Sequence, residues 1–84
     1  MRIQVTEQHI RNGLRGSCSS DAICLALRSA GFMNPWVSPD RIQTDGFSGG
    51  FMRENWLVTD ELRSFMYDYD NRKPVFPFEF ELEG

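Results

Sequence analysis

The stretch Ser20-Asp21-Ala22-Ile23-Cys24-Leu25-Ala26-Leu27-Arg28-Ser29-Ala30-Gly31 decides the fold, because it is the clearest helix in the sequence. Four of its apolar residues recur at the spacing i, i+3, i+4, i+7 and form one core-facing stripe: Ile23, Ala26, Leu27 and Ala30. Ala22 and Cys24 flank that stripe and Leu25 lies on the opposite side, so the first two turns are apolar on nearly every side. We therefore predict a central helix packed between other elements of the fold.

Both ends of this helix carry recognisable signals. Ser19 or Ser20 is predicted to cap its first amides, and Asp21 to place a carboxylate against the positive end of the helix dipole. Gly31 suits the left-handed position after the last turn, where Phe32 can fold back as the hydrophobic contact of a Schellman motif.

The rest of the chain carries alternating strand and helix patterns. The predicted elements are a strand over 2–5, a short helix over 7–12 capped by Thr6, the central helix, strands at 36–37, 41–44 and 52–58, a helix capped by Thr59, and a final strand over 75–83. The second long helix is predicted to bury Leu62, Phe65, Met66 and Tyr69 and to end with Asn71 in the left-handed position. The final strand is predicted to turn Phe76, Phe78, Phe80 and Leu82 inward, with an unpaired start at Pro77.

These elements predict an α+β fold in which residues 1–84 form a single small domain. Their order is β-α-α-β-β-β-α-β. We expect a small antiparallel or mixed sheet of about five strands, with the two main helices packed on one face. Seven Phe, two Tyr and two Trp supply much of the apolar area that so short a chain needs for a core.

The charge pattern argues against one broad class of function. Residues 1–50 hold five arginines and four acidic residues, whereas residues 51–84 hold four basic and eight acidic residues, and the net charge of the chain is −3. A protein that binds nucleic acid through the phosphate backbone needs clustered Lys and Arg, and this chain has a single Lys. General nucleic-acid binding is therefore not expected.

The cysteines and the hydropathy pattern indicate a cytoplasmic protein without a membrane segment. Cys18 and Cys24 are the two cysteines, and the sequence shows no signal peptide or long apolar run, so we expect both thiols to be free and reduced. The side chains of His9, Cys18, Asp21 and Cys24 fit no zinc spacing, and Cys24 is expected to point away from the preceding loop. We predict no metal and no cofactor.

A resemblance to a known group of proteins rests on three runs: Val5-Thr6-Glu7-Gln8-His9-Ile10-Arg11-Asn12-Gly13, Gly16-Ser17-Cys18 and Ile23-Cys24-Leu25-Ala26-Leu27-Arg28. They resemble the opening pattern V-T-x-x-H-I-x-x-G-x-x-G-x-C of small uncharacterised proteins from bacteriophages and from bacterial genomes with phage-derived genes. The end of the chain, Pro77-Phe78-Glu79-Phe80-Glu81-Leu82, is similar to their closing P-F-x-F-x-L strand. The resemblance implies a phage-type protein and no known activity.

One departure from that pattern bears on chemistry. The family's second cysteine, three residues after the first, is Asp21 in this sequence, and the proline after it is Ala22. The resemblance therefore implies no Cys-x-x-Cys redox or zinc role here.

The predicted hairpin tip is the leading candidate for a functional site. Phe47 and Phe51 flank Ser48-Gly49-Gly50, at a place where turns normally carry polar residues. Exposed aromatic residues on a protruding loop are typical anchors of protein interfaces. We therefore predict that Phe47, Ser48, Phe51 and Arg53 bind a protein partner, with folding of the two aromatic rings under the core as the alternative.

The loop from Gly13 to Ser20 raises two further hypotheses. Free amides before a helix, together with Arg11, Arg15, Ser19 and Ser20, are the groups that an anion or nucleotide site would use. Cys18 just before a helix N-terminus is where a thiol becomes nucleophilic, and His9 is the one histidine available to pair with it. These alternatives are an anion-binding protein and a thiol-dependent enzyme or redox protein.

The glutamates of the last strand suggest a role for the surface they form. Glu79, Glu81 and Glu83 share one strand face, which is either a mimic of DNA phosphates or a solvated face that discourages aggregation. The second interpretation is favoured.

On balance the sequence predicts a non-enzymatic protein-binding module, of phage type, that binds and modulates or inhibits a host factor. The partner and the oligomeric state stay open, and a dimer is compatible with the sequence.

Overall fold

The structure, a computed structural model, describes residues 2–45 and 54–82. Its elements are β1 (Arg2–Val5), α1 (Glu7–Asn12), α2 (Ala22–Ser29), β2 (Trp36–Val37), β3 (Arg41–Thr44), β4 (Glu54–Leu57), α3 (Asp60–Asp70) and β5 (Phe78–Glu81). The predicted α+β class and the predicted order of elements are confirmed.

The five strands form two antiparallel sheets and not the single sheet that the sequence predicted. In one, β1 pairs with β5, so that Ile3 lies opposite Phe80; in the other, the order is β2-β3-β4. The helix α2 contacts β1 of the first sheet and β2 of the second. The central helix therefore links the two sheets, where a continuous run of strand pairing was expected.

The helix α2 is buried as its sequence pattern predicts, but its cap is different. Asp21, and neither Ser19 nor Ser20, is the N-cap: its carboxylate accepts a hydrogen bond from the Cys24 amide at 2.8 Å. Ser19 and Ser20 are instead held by Ser17, whose hydroxyl accepts both of their amide hydrogens. A buried carboxylate therefore occupies the positive end of the helix.

The end of α2 is the predicted Schellman motif. Gly31 has a φ of 103°, and the amide of Phe32 donates to the carbonyl of Leu27 at 3.0 Å. Phe32 itself is buried in the core. The core that gathers around α2 consists of Ile3, Val5, Ala22, Ile23, Cys24, Ala26, Leu27, Phe32, Val37, Ile42, Leu62, Phe65, Met66, Tyr69, Phe80 and Leu82.

The helix α3 buries the predicted stripe but ends differently. Thr59 caps its start, and Leu62, Phe65, Met66 and Tyr69 are buried. Asn71, predicted in the left-handed position, is the C-cap with a φ of −92°, and Arg72 takes the left-handed position with a φ of 60°. The amide of Lys73 then donates to the carbonyl of Asp68 at 2.8 Å, which completes a second Schellman motif one residue later than expected.

Arg72→Gly is expected to stabilise the protein by about 1 kcal/mol, because a side chain at a left-handed position raises the energy of the folded state and glycine removes that strain. The melting temperature should then rise by about 4–8 °C. Arg72→Ala is the matched control, since it removes the charge but keeps the Cβ, and it should give no such rise. Equal stabilisation by both variants would assign the effect to charge and contradict the strain argument.

The end of the chain corrects the predicted last strand. Strand β5 begins at Phe78, and Phe76, predicted to face the core, is 75% exposed. Pro74 and Pro77 have no amide hydrogen to donate to a neighbouring strand, so the backbone around Phe76 stays outside the sheet. The prediction of an unpaired start at Pro77 is confirmed, while the inward position of Phe76 is wrong.

The predicted hairpin between β3 and β4 is confirmed by its register. Thr44 lies opposite Glu54, and Arg41 lies opposite Leu57. Residues 46–53, which include the predicted site residues Phe47, Ser48, Phe51 and Arg53, lie outside the described residues.

Candidate protein-binding surface

The sheet β2-β3-β4 has one face in the core and one in solvent. On the inner face Val37, Ile42 and Thr44 are buried, and the indole nitrogen of Trp56 donates to the hydroxyl of Thr44 at 3.0 Å. The ring of Trp56 also meets that of Phe32 edge-on, with centroids 5.8 Å apart. These contacts fix the sheet against the core and leave the opposite face to make other contacts.

The outer sheet face is formed by Trp36, Arg41, Gln43, Asn55 and Leu57. Gln43 lies between Trp36 and Asn55 in one row across the three strands, and its side-chain amide donates to Asn55 at 3.0 Å. Trp36 is 45% exposed and Leu57 is 60% exposed. Two large apolar side chains therefore stand in solvent on a hydrogen-bonded sheet, two strand spacings across and two residues along the strands from each other, or roughly 12 Å apart.

The stem of the hairpin is held where it leaves this sheet. The Asp45 amide donates to the Met33 carbonyl at 2.9 Å, and the Asn34 side-chain amide donates to the Asp45 carboxylate at 2.8 Å. Asn34 has a φ of 47°, a conformation that Asn tolerates better than most residues. Asp45 is thus bonded to the chain beside Met33, which is itself exposed.

The residues of the predicted anion site are engaged separately. The guanidinium of Arg11 pairs with Glu7 at 3.1 Å, and that of Arg15 lies 4.7 Å from the centre of the Tyr69 ring. Ser19 and Ser20 donate their amides to the Ser17 hydroxyl. The structure does not bring these four residues together around one point.

Other amides of the same loop also have protein acceptors. The Leu14 amide donates to the Ser20 carbonyl at 2.8 Å, and the Gly16 amide donates to the Asp70 carboxylate at 2.9 Å. The helix N-terminus beyond the loop is occupied by Asp21, whose burial raises its carboxyl pKa. Because a carboxylate already sits there, the structure gives the anion hypothesis little support.

The two thiols differ in accessibility. Cys18 is half-buried and Cys24 fully buried, and both are free. The Cys24 thiol donates to the Cys18 carbonyl at 3.2 Å, so the prediction that it points away from the loop is wrong. The helix begins at Ala22, which places Cys24 in its first turn beside the loop. Burial raises the pKa of the Cys24 thiol and makes it a poor nucleophile.

Both ring nitrogens of His9 are engaged away from Cys18. The Thr6 amide donates to Nδ1 at 3.1 Å, so the proton of the neutral ring lies on Nε2, which donates to the Ser29 hydroxyl at 3.0 Å. His9 thereby acts as the acceptor of a capping box with Thr6. Within residues 2–45 and 54–82, no group of three or more metal-ligating side chains is close enough to hold an ion.

The role of His9 predicts a pH dependence of stability. Partial burial lowers the pKa of His9, so the folded state binds this proton less readily than the unfolded state. Neutral His9 therefore contributes to the free energy of unfolding above the pKa of about 6.5 that histidine has in the unfolded chain. This contribution is lost as the pH falls through the lower pKa of the folded state. Protonation also removes the acceptor that the Thr6 amide uses.

His9→Gln is the variant that isolates this effect, because glutamine keeps an acceptor at the same capping position and does not titrate. The stability of the native protein relative to His9→Gln should decrease between about pH 7 and pH 5. Urea unfolding at several pH values measures this difference. Parallel pH profiles for the two proteins would contradict the assigned role.

The acidic face of β5 is partly neutralised by β1. Arg2 contacts Glu79 at 3.0 Å and Glu81 at 3.7 Å, and Gln4 donates to Glu79 at 3.0 Å. The hydrogen bond from Arg2 lowers the pKa of Glu79. Glu83 lies outside the described residues. The cross-strand pairs favour a solvated strand face over a mimic of nucleic-acid phosphates.

Comparison with protein-family models, with curated proteins and with solved structures finds no match for this chain. Across residues 2–45 and 54–82, none of the helices has the length and apolar character that a bilayer crossing requires.

Sequence reasoning missed the apolar residues of the outer sheet face. It placed Trp36 and Leu57 on strands without assigning their faces a role. The strand register shows which residues of neighbouring strands share a face, and it sets Trp36 and Leu57 on the side opposite Ile42. Alternation along the strands carries a partial signal, because it sets Leu57 on the face opposite Trp56 and Val58.

Proposed function

We propose that this chain is a non-enzymatic protein-binding module whose contact surface is the outer sheet face together with the hairpin tip. The tip contributes Phe47, Ser48, Phe51 and Arg53. In keeping with the resemblance stated above, the module is of phage type, acts in the cytoplasm of the host and modulates or inhibits a host factor.

The observation that carries the proposal is the exposure of Trp36 and Leu57 on one sheet face. A chain this short has little apolar area to spare from its core, so two such side chains in solvent need an explanation. Tryptophan is enriched among the residues that dominate binding energy, because it buries a large area and keeps a hydrogen-bond donor. Burial of the two side chains at an interface would contribute roughly 1.5–3 kcal/mol each.

The polar residues around them suit an interface rim. Gln43 and Asn55 already bond to each other, so covering them requires no new partner for that hydrogen bond. Arg41 adds a planar cation beside Leu57, and arginine is also enriched at interfaces. The surface therefore combines apolar anchors with a cross-strand hydrogen bond and a cation.

Affinity capture from a lysate of the host, followed by mass spectrometry, tests this proposal. The double variant Trp36→Ser, Leu57→Ser should keep the native circular dichroism spectrum and lose the captured protein. Tyr67→Ser is the matched control, because Tyr67 is as exposed as Leu57, at 60%, and belongs to α3 and not to this sheet. Capture of the same protein by the double variant would contradict a contact through the outer sheet face.

Phe47→Ala with Phe51→Ala tests the tip. If the two rings serve the interface, this variant should also lose the captured protein while its melting temperature stays nearly unchanged. A drop of several degrees with binding intact would place the two rings in the core, since one kcal/mol shifts a domain of this size by about 4–8 °C.

A further inference from the structure

Phe76 separates two grooves on the side of α3 and β5. One groove, of about 360 Å³, lies toward α1, and the other, of about 260 Å³, lies toward α3. Phe76 is 75% exposed and lines both. It is the most exposed of the large apolar side chains among the described residues.

The groove toward α1 is electrically balanced. Its charged residues, Glu7 and Arg11, form a salt bridge with each other at 3.1 Å. A charged partner would have to break or share that pair, so this groove selects no particular charge.

The groove toward α3 has an aromatic floor. The rings of Phe65 and Phe78 pack with centroids 4.6 Å apart, and the half-buried Val75 lies beside them. The other wall of the groove is formed by the segment from Pro74 to Pro77, which includes Phe76. Proline fixes its own φ and restricts the residue before it, so this wall is a preformed surface of low conformational entropy.

Two carboxylates line the same groove on α3. Glu61 and Asp68 lie seven residues apart along the helix, with Phe65 between them. Within the described parts of the chain, neither of them forms a salt bridge. On α3, Arg63 pairs with Asp60 at 2.7 Å, and after the helix the Lys73 ammonium lies 5.0 Å from the centre of the Tyr67 ring. Arg72, which the structure also describes, forms a salt bridge with neither Glu61 nor Asp68.

We propose that this α3 groove binds a segment of a partner protein in which an apolar side chain is flanked by basic residues. The apolar side chain packs on Phe65, Phe78 and Phe76, and the flanking bases pair with Glu61 and Asp68. The groove and the outer sheet face have no residue in common, so the module would hold two ligands, or two parts of one partner, at separate surfaces.

The spacing of the carboxylates defines the ligand further. Seven residues of helix separate Glu61 and Asp68 by roughly 10 Å along the axis. In an extended peptide the side chains on one face recur every two residues, so two bases four residues apart face the same side, roughly 13 Å apart at the backbone, and their long side chains converge on the two carboxylates. The fitting segment is therefore extended, with one base on each side of a central apolar residue and a small residue between each pair.

A heptapeptide Ser-Arg-Ser-Leu-Ser-Arg-Ser, blocked at both ends, is the probe, because it sets both Arg and the Leu on one face when extended. Titration into the labelled protein, followed by amide chemical shifts, should perturb residues of the groove such as Phe65, Val75 and Asp68. Affinity should fall as salt rises from low levels toward about 0.5 M, because exposed ion pairs are screened. A peptide with Glu in place of both Arg should not bind.

Two variants locate the binding. Glu61→Gln with Asp68→Asn keeps the shape of the groove and should weaken the peptide by about tenfold or more, since each lost charge-assisted contact contributes on the scale of one tenfold step. Phe76→Ser removes the wall and should weaken it similarly. Because Phe76 is largely exposed, circular dichroism of this variant should match that of the native protein.

Leu57→Ser, on the outer sheet face, is the matched control and should bind the peptide as the native protein does. Unchanged affinity in the charge variant, equal binding of the Glu peptide, or shifts confined to the outer sheet face would each overturn the inference. Self-association that increases with concentration and is abolished by Phe76→Ser would also overturn it, because the occupant would then be a second copy of the chain. None of these results depends on capture through the outer sheet face, so the two proposals fail separately.

Discussion

Gly13→Ala is expected to destabilise the protein by about 2–5 kcal/mol, through overpacking and a lost buried hydrogen bond. A Cβ at this position would lie 2.5 Å from the Tyr69 hydroxyl oxygen, 2.6 Å from the Ala22 amide nitrogen and 2.9 Å from the Asp21 carbonyl carbon. Two of these atoms belong to the backbone at the start of α2 and cannot rotate away. Movement of Tyr69 would break its hydrogen bond to the Ile10 carbonyl, which is 2.9 Å long.

The backbone of Gly13 is not itself strained, since its φ is −70°. Alanine would therefore be tolerated by conformation alone and would reduce the entropy of the unfolded chain, a stabilisation of about 0.4–1 kcal/mol. The free-energy cost of the steric clash exceeds that gain. Urea unfolding measures the net change in the free energy of unfolding.

Gly16→Ala is the contrast for this prediction. Gly16 has a φ of 77°, and a Cβ added there would meet no atom within 4 Å, so the loss should be limited to backbone strain of about 1–2 kcal/mol. If Gly13→Ala costs no more than Gly16→Ala, the close approach of Tyr69 and α2 to Gly13 is not as described.

Leu27→Ala is the second large effect, with an expected loss of about 2–5 kcal/mol. Leu27 is fully buried at the centre of the core, and truncation removes its packing and leaves a cavity. A domain of this size has a total stability of about 5–15 kcal/mol, so a substantial unfolded fraction is expected near physiological temperature. Thermal denaturation followed by circular dichroism gives the measurement.

Leu25→Ala on the same helix is the control, because Leu25 is only half-buried. It should cost clearly less than Leu27→Ala. Melting of Leu27→Ala at the native temperature would mean that the assigned core face of α2 is wrong.

The parts of the fold that sequence predicted well are those determined within a few residues. Thr6 and Thr59 cap their helices, and the stripe from Leu62 to Tyr69 is buried, because capping and 3.6-residue periodicity are local properties. Gly31 ends α2 for the same reason. Such features depend on the chemistry of neighbouring residues, so they can be predicted from the sequence without knowledge of the tertiary contacts.

The two errors differ in kind. The cap of α2 is a local error: the helix begins at Ala22, so the carboxylate of Asp21, and not a serine hydroxyl, accepts from the Cys24 amide. The exposure of Phe76 follows from which strand pairs with which, since β5 finds β1 as its partner only from Phe78 onward.

The candidate site was legible only in part. The apolar character of the hairpin tip is a property of composition, whereas the outer sheet face depends on register, which aligns Trp36, Gln43 and Asn55 across three strands. The α3 groove needs the packing of Phe65 on Phe78, two residues that lie far apart in the sequence. A signal for it was present in Pro74 and Pro77, which together argue against a strand through Phe76.

The pairing of β1 with β5 has a consequence for the newly made chain. Val5 is paired with Phe78, and at roughly 5–20 residues per second the ribosome needs about 4–15 s to proceed from one to the other. During that interval the backbone of β1, which carries Ile3 and Val5, has no partner strand. The helix α2 and the β2-β3-β4 sheet are synthesised before β5 and can begin to pack against each other. The β1–β5 ribbon therefore closes last, and in those seconds a chaperone or another nascent chain would find β1 open.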